Sequence, residues 1–296
     1  MVFQLEQYMK ERKEWIEGAL RRFIPFEKES KGAFSQLYFA MEYALFPGGQ
    51  RFRPILTLAS AAAVGGNEEL ALPSACAIEM VHNYSLVHDD LPAIDDDSIR
   101  RGKTAVHLEY GDAMAILCGD ALLSDAFYLL SEVNGKEGLS PDICCRIISL
   151  FSRAAGSLGM VGGQSMDVAA KGHASVDWEF PELEFMSIHK TGDLIRVAAM
   201  TGGLVGNGKP HQIELLSRYG QNLGLAYQIV DDLIDRDTFT PSFPSLIGVT
   251  ESRERVQSLI EGAVQAAEEL GQRALPLREL ALYVLNRMDR AEPPSE

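Results

Sequence analysis

The sequence predicts an all-α protein. Apolar residues recur at three- and four-residue spacing almost throughout, in segments such as "FSQLYFAMEYALF", "DAMAILCGDALLSDAFYLLSEV" and "RVQSLIEGAVQAAEELGQRAL". That is the period of helices with a face against a core. Alternation of period two, the mark of a half-buried strand, is absent, and clusters of Val, Ile and Thr are few. Breakers cut the pattern at Pro47-Gly48-Gly49, Gly65-Gly66, Asn134-Gly135, Gly138, Gly172, Pro181, Gly206-Asn207-Gly208 and from Pro241 to Pro244. About ten helices result, many apolar on more than one face, as expected of a bundle around a central helix pair.

Of 296 residues, 46% are apolar, and no shift of composition or Gly/Ser-rich linker divides them. A single domain over residues 1–296 is expected, with "AEPPSE" a frayed tail. The net charge of −15 argues against nucleic acid, whose phosphates call for a basic surface. The opening "MVFQLEQYMKERKEWIEGALRRF" is charged throughout, unlike a signal peptide, and no window holds 18 uninterrupted apolar residues. A cytoplasmic protein without a membrane span is expected. Cys76, Cys118, Cys144 and Cys145 lack metal-ligand spacing and lie in apolar helical patterns, so buried thiols are the reading. "GLVGNGKP" nearly spells a phosphate-binding loop, but Pro210 stands where Ser or Thr is needed and a helix, not a strand, leads in. It reads as a helix end and a turn.

Two acidic clusters break the apolar texture. "LVHDDLPAIDDDSIRRGK" sets five aspartates within nine residues and follows them with Arg100 and Arg101. An acidic run is usually solvated surface. This one grows out of the apolar "AIEMVHNYSLV", in which His82, Ser85, Leu86 and Asp89 share a helix face. The second cluster is "GLAYQIVDDLIDRD", where Gln228, Asp231 and Asp235 fall at i, i+3 and i+7 on one face and Ile229, Val230, Leu233 and Ile234 bury the other. If the two helices face one another, carboxylates from both enclose a cavity. Oxygen-only ligands of this kind suit magnesium, which bridges a few carboxylates to substrate phosphates.

"HDDLPAIDDDSIRRG" and "YQIVDDLID" resemble the first and second aspartate-rich motifs of the trans-isoprenyl diphosphate synthases. "GGQRFRP", "EMVHNYSLVHDD", "GDAMAILCGDALL", "GGQSMD" and "IHKTGDLIR" match that family's other landmarks in order and spacing, from about residue 40 to residue 250. The chain is similar in particular to bacterial-type farnesyl diphosphate synthases, with Pro92-Ala93 as two extra residues in the first motif.

The resemblance implies the isoprenoid synthase fold and head-to-tail prenyl transfer. An allylic diphosphate, dimethylallyl or geranyl, ionises, and isopentenyl diphosphate attacks the cation. Asp89, Asp95 and Asp231 would hold three magnesium ions on the allylic diphosphate, with Asp90, Asp232 and Asp235 assisting. Arg100 and Lys190 would grip the same group. Arg53, His82 and Arg101 match the positions that bind isopentenyl diphosphate without metal. Thr191, the carbonyl of Lys190 and the amide of Gln228 match those that stabilise the carbocation. Tyr84, five residues before Asp89 and next to the small Ser85, matches the floor that stops chain growth at fifteen carbons. Farnesyl diphosphate is the expected product, geranylgeranyl diphosphate the alternative, and a homodimer the expected assembly.

Two positions depart from the pattern. Gln50 stands where the family's lysine binds isopentenyl diphosphate, with Arg51 next to it as a candidate substitute. After Asp235, "RDTFTPSFPSLIG" replaces a longer lysine-bearing loop, and no lysine follows Lys209. These departures are the support for a rival reading as a non-catalytic partner subunit. A class I terpene cyclase is the other rival. It would lack a second diphosphate site, and its second metal motif mixes Asn, Ser or Thr with Glu.

Overall fold

The computed structural model describes residues 3–24, 34–46, 48–133, 135, 138–172, 179–235 and 241–289. It is 82% helical, with fourteen α-helices among the described residues, a few more than the periodicity suggested. In chain order they are α1 (Leu5–Phe23), α2 (Phe34–Leu45), α3 (Phe52–Ala63), α4 (Glu68–Asp89), α5 (Val106–Tyr110) and α6 (Asp112–Tyr128). Then come α7 (Pro141–Ala155), α8 (Met160–Gly172), α9 (Phe180–Ser187), α10 (Asp193–Val205) and α11 (Pro210–Ile234). The series closes with α12 (Phe243–Ile247), α13 (Val249–Leu270) and α14 (Leu275–Asp289).

The helices form two compact units, one from Met1–Ile55 and Leu72–Ile148, the other from Leu56–Ala71 and Ser149–Glu296. The boundaries fall inside α3, α4 and α7, so no turn or linker marks them in the sequence. Within α4 every residue from 71 to 81 is buried, the condition in which a helix is apolar nearly all round. The polar exceptions, Ser74, Glu79 and Asn83, are buried with it. Such groups need internal partners, and Glu79 and Asn83 find theirs beside the candidate site.

Turn chemistry sets several element ends. The near-P-loop resolves as expected: α10 stops at Val205, Asn207 takes φ 58°, and Pro210 opens α11. A short antiparallel hairpin, Ile99–Arg100 with Lys103–Thr104, was not foreseen. Strands of two residues are too short to show alternation. At its tip Arg101 and Gly102 both have positive φ, 53° and 77°, as a two-residue type I′ turn demands.

Three cysteines are buried as expected, while Cys145 is exposed, because adjacent helical residues point to different faces. Burial pushes the Cys118 thiol up to about 12. Two segments, Asp112–Ser131 and Pro141–Lys171, are long and apolar enough to cross a membrane by length and composition. The second is broken by a turn at residues 156–159, and 39% of each window is already buried in protein.

Candidate active site

Helix α4 ends in carboxylates, where the helix dipole is negative. Aspartates there are disfavoured unless a cation offsets them. The chain after Asp89 coils back: the amides of Ile94 and Asp96 donate to the carbonyl of Leu91 at 2.9 and 3.1 Å, and that of Asp95 donates to the carbonyl of Asp89 at 2.9 Å. Asp95 therefore lies beside Asp89, as the first motif requires. Asp90 is different. It is 2% exposed, and its Oδ1 accepts from Arg100 Nε at 2.9 Å and from Arg100 Nη2. Burial pushes the Asp90 carboxyl above its ordinary range, with Arg100 pulling it back. Arg100 Nη2 also donates to Asp97 at 2.7 Å. The second aspartate of the motif thus anchors an arginine.

The hairpin tip sends the two adjacent arginines to different partners. Arg100 meets the acidic loop, while Arg101 Nη1 donates to Asn83 Oδ1 at 3.2 Å and its Nη2 to His82 Nε2 at 3.4 Å. A guanidinium only donates, so this ring nitrogen of His82 is the unprotonated one. Burial, then the nearby charges of Arg53 and Arg101, hold His82 well below its ordinary pKa, and the ring is neutral. Asn83, Asp90, Arg100 and Arg101 share the wall of a cavity of about 30 Å³, enough for a water or two.

The glycine pair before Gln50 makes room for these cations. A Cβ on Gly48 would lie 1.8 Å from the Arg51 guanidinium, and one on Gly49 3.1 Å from that of Arg101. Gln50 is exposed at this loop, and Arg53 is half-buried in the first turn of α3. Arg51 turns inward, with φ 54° and 2% exposure. It donates to Glu79 Oε1 and the carbonyl of Leu45, both at 2.5 Å, and to Glu17 at 3.4 Å. So committed, Arg51 cannot stand in for the lysine that Gln50 replaces.

The other unit carries the second acidic helix end. Between α9 and α10 the helix widens into a π-turn, Ile188–Gly192, a distortion frequent at functional sites. It presents Lys190 and Thr191. Lys190 Nζ donates to Asp167 at 2.6 Å, and Lys171 adds a contact at 3.1 Å. Burial would raise the Asp167 carboxyl, but the two lysines outweigh it and hold it low. Thr191 Oγ1 donates to Gln228 Oε1 at 2.8 Å, Gln228 Nε2 to Asp232 Oδ1 at 2.7 Å, and the Phe243 amide to Asp232 Oδ2 at 3.0 Å. Both Asp232 oxygens are engaged in fixing the Gln228 amide and the start of α12. Burial pushes the Asp232 carboxyl up, against the Phe243 and Gln228 hydrogen bonds. Asp231 Oδ1 accepts from Arg287 Nη2 at 2.7 Å, and the guanidinium lies 4.7 Å from the centre of the Tyr227 ring.

The sequence placed Asp235 on the same helix face as Gln228 and Asp231. In the structure α11 ends at Ile234, and Asp235 is its extended C-cap, tied by its amide to the Asp231 carbonyl at 2.8 Å. The shortened loop begins at once and lies, over residues 236–240, outside the described residues, as does the "AEPPSE" tail.

A polyprenyl synthetase family model matches residues 35–239. The chain belongs to this family. It is 39% identical over 300 residues to a geranylgeranyl diphosphate synthase of Cyanophora paradoxa, covering 96% of this chain and 97% of that one. A farnesyl diphosphate synthase of Geobacillus stearothermophilus is 38% identical over 274 residues, 88% of this chain and 90% of that one. Among solved structures, an FPP/GFPP synthase from Zymomonas mobilis superposes with a TM-score of 0.88 at 35% identity, covering 95% of this chain and 98% of that one. The fold and enzyme class expected from the sequence stand: an all-α trans-prenyltransferase.

Polyprenyl synthetases are magnesium-dependent in general. Among the described residues no group of three or more His, Cys, Asp and Glu side chains forms a ready-made metal cluster. The donors that are present fit magnesium, which takes few protein carboxylates and completes its shell with water and phosphate oxygens. Within one unit the structure gathers Asp89, Asp90, Asp95 and Arg100, and beside them His82 and Arg101. Within the other it gathers Lys190, Thr191, Gln228, Asp231 and Asp232. Sequence reasoning missed Asn83, Asp167 and Arg287. Asp167 lies in the quoted "GGQSMD" and Asn83 in "EMVHNYSLVHDD", and those motifs were the available signals.

Proposed function

We propose that this polyprenyl synthetase condenses isopentenyl diphosphate with an allylic diphosphate, head to tail, to give farnesyl diphosphate. The observation that carries the reading is the basic group around Arg101 and His82, packed on Gly49 and separate from the carboxylates that Arg100 serves. A metal-free anion site beside an acidic one is what two diphosphate substrates of different roles require. It also sets the chain apart from a cyclase, which takes one diphosphate.

Magnesium, with Asp89, Asp95 and Asp231 as ligands, would neutralise and orient the leaving diphosphate as a Lewis acid. Arg100, braced by Asp90, would meet diphosphate charge in its unit, and the resemblance gives Lys190 the same task in the other. Asp232 and Asp235 complete the second acidic end, where Asp232 holds Gln228. Thr191, the Lys190 carbonyl and Gln228 Oε1 supply fixed dipoles for the carbocation. Arg53, His82 and Arg101 bind isopentenyl diphosphate, and the departed diphosphate accepts the proton. Incubating the purified chain with geranyl diphosphate, with and without isopentenyl diphosphate, tests this. A linear prenyl alcohol five carbons longer than geraniol after phosphatase treatment, formed only with both substrates, is the expected product. A cyclic hydrocarbon formed without isopentenyl diphosphate would point to the cyclase.

Gln50 keeps a hydrogen-bond donor but lacks the charge of a lysine. Replacing a neutral by a charge-assisted contact is worth about 1–2 kcal/mol. Gln50→Lys is therefore expected to lower the KM for isopentenyl diphosphate about tenfold and leave that for the allylic substrate unchanged. Steady-state kinetics with each substrate varied in turn checks this, and the burial of Arg51 removes the nearest alternative explanation for a null result.

Product length is proposed from Tyr84. The residue is 6% exposed, and its ring packs edge-on against His88, with centroids 5.6 Å apart. Burial and the Asp89 charge push its hydroxyl up to about 12. It lies about 7.5 Å back from Asp89 along the helix axis; spacing alone sets the half-buried Ser85 more squarely beneath Asp89, so the floor role of Tyr84 comes from the resemblance. Tyr84→Ala is expected to shift the main product from fifteen carbons to twenty or more, read by chromatography of the dephosphorylated products. A mutant that still stops at fifteen would remove Tyr84 from this role. Geranylgeranyl diphosphate is the second reading, favoured by the likeness to the Cyanophora paradoxa enzyme over nearly its whole length. A homodimer is proposed as well, supported by Ile116, Leu117 and Tyr128, large apolar residues exposed along α6.

A further inference from the structure

We propose that Asn83 is a positioning residue for the second-diphosphate site: its amide couples the buried Arg51–Glu79 ion pair to the guanidinium of Arg101. The inference rests on the reading of Arg101 as a diphosphate contact.

Asn83 is 2% exposed near the end of α4, where an amide side chain favours neither the helix nor the burial. Its hydrogen bonds account for it. Nδ2 donates to the main-chain carbonyl of Glu79 at 2.7 Å and to Glu79 Oε1 at 3.0 Å, and Oδ1 accepts from Arg101 Nη1 at 3.2 Å. Glu79 offers only acceptors here and Arg101 only donors, so the amide has one possible orientation and all three bonds fix it. The same Glu79 Oε1 accepts from Arg51 Nη1 at 2.5 Å, and Arg51 is tied in turn to the Leu45 carbonyl and to Glu17. A continuous path of hydrogen bonds therefore runs from α1 and the end of α2, through Arg51, Glu79 and Asn83, to Arg101.

Arg101 needs such a tether. It sits at a hairpin tip with φ 53°, its residue is exposed, and its neighbours Arg51, Arg100 and Arg53 repel it. Free, its long side chain would swing into solvent, and ordering it would weaken substrate binding. Asn83 holds one edge and His82 meets another, so the guanidinium is pre-set across Gly49. Among the described residues no carboxylate bonds to it directly. Glu79 acts one residue removed, so Arg101 keeps its charge available for an anion. An amide does this where a carboxylate could not: an aspartate in place of Asn83 would repel Glu79 and compete with the diphosphate for Arg101.

The test is a kinetic cycle on the full-length chain with magnesium and both substrates, for Asn83→Leu, Asn83→Asp, Arg101→Ala and the double variant Asn83→Leu/Arg101→Ala. Losing a hydrogen bond to a charged group predicts a rise of about tenfold in the KM for isopentenyl diphosphate for Asn83→Leu. Its kcat and the allylic KM should stay within about twofold of wild type, since no contact to that substrate is removed. Asn83→Asp, close to the native side chain in size and polarity, should raise the same KM at least as much, and it serves the test alone if the leucine variant does not fold. In the Arg101→Ala background, Asn83→Leu should add less than about twofold, because its effect passes through Arg101. An isopentenyl diphosphate KM within about twofold of wild type for both Asn83 variants, with Arg101→Ala impaired, overturns the positioning role alone. An unimpaired Arg101→Ala overturns the diphosphate reading of Arg101 and the inference with it.

Discussion

Asp89→Ala and Asp231→Ala are each expected to lower prenyl transfer by at least about 10²- to 10³-fold while leaving the helical circular dichroism unchanged. Losing a single hydrogen-bond donor to a developing oxyanion already costs a factor of that order, and a carboxylate that holds a metal supplies more charge than one donor. Both residues stand at helix C-termini, where the dipole adds to the negative potential. Removing Asp89 relieves local repulsion, and removing Asp231 gives up one part-exposed ion pair with Arg287, a small loss beside the packing of the helices, so the fold should persist. By contrast, Asp90→Ala and Asp232→Ala would act by releasing Arg100 and Gln228, which the structure shows they anchor. Equal activity of the Asp89 or Asp231 variant and the wild type would refute the assignment of the acidic ends.

Arg51→Met is expected to cost about 3–5 kcal/mol of stability, the typical penalty for breaking a buried ion pair by removing one partner. The side chains of Arg51 and Glu79 are 0% and 2% exposed, so Glu79 would be left charged or forced to take up a proton within the core. Adding Glu79→Gln should recover much of the loss, because glutamine is neutral and can still accept from Asn83. Urea denaturation of the single and double variants measures both changes. A single variant within about 1 kcal/mol of wild type would show that the pair is not the brace that its burial and three-helix contacts imply.

The features that the sequence made legible are local ones. Helical periodicity of two kinds, apolar faces and polar stripes, exposed both acidic helix ends. The order of short motifs gave the family. Two adjacent arginines with an acidic run before them foretold charge pairing, though not that Arg100 and Arg101 part ways, which depends on the positive φ of the hairpin tip. What escaped is non-local. Arg287 meets Asp231 across 56 positions, and Lys190 meets Asp167 across 23. Asn83 hid inside a helical pattern that any polar residue could fit, and its meaning lies in Arg101, 18 positions away. The unit boundaries were invisible because they cross helices without altering their periodicity.

Magnesium-dependent, head-to-tail condensation stands or falls on the incorporation of radiolabelled isopentenyl diphosphate by the purified chain. With an allylic diphosphate and magnesium, label should pass into an acid-labile prenyl diphosphate, and chelation by EDTA should abolish the transfer. Transfer undiminished in EDTA, or none with magnesium and both substrates present, would rule it out.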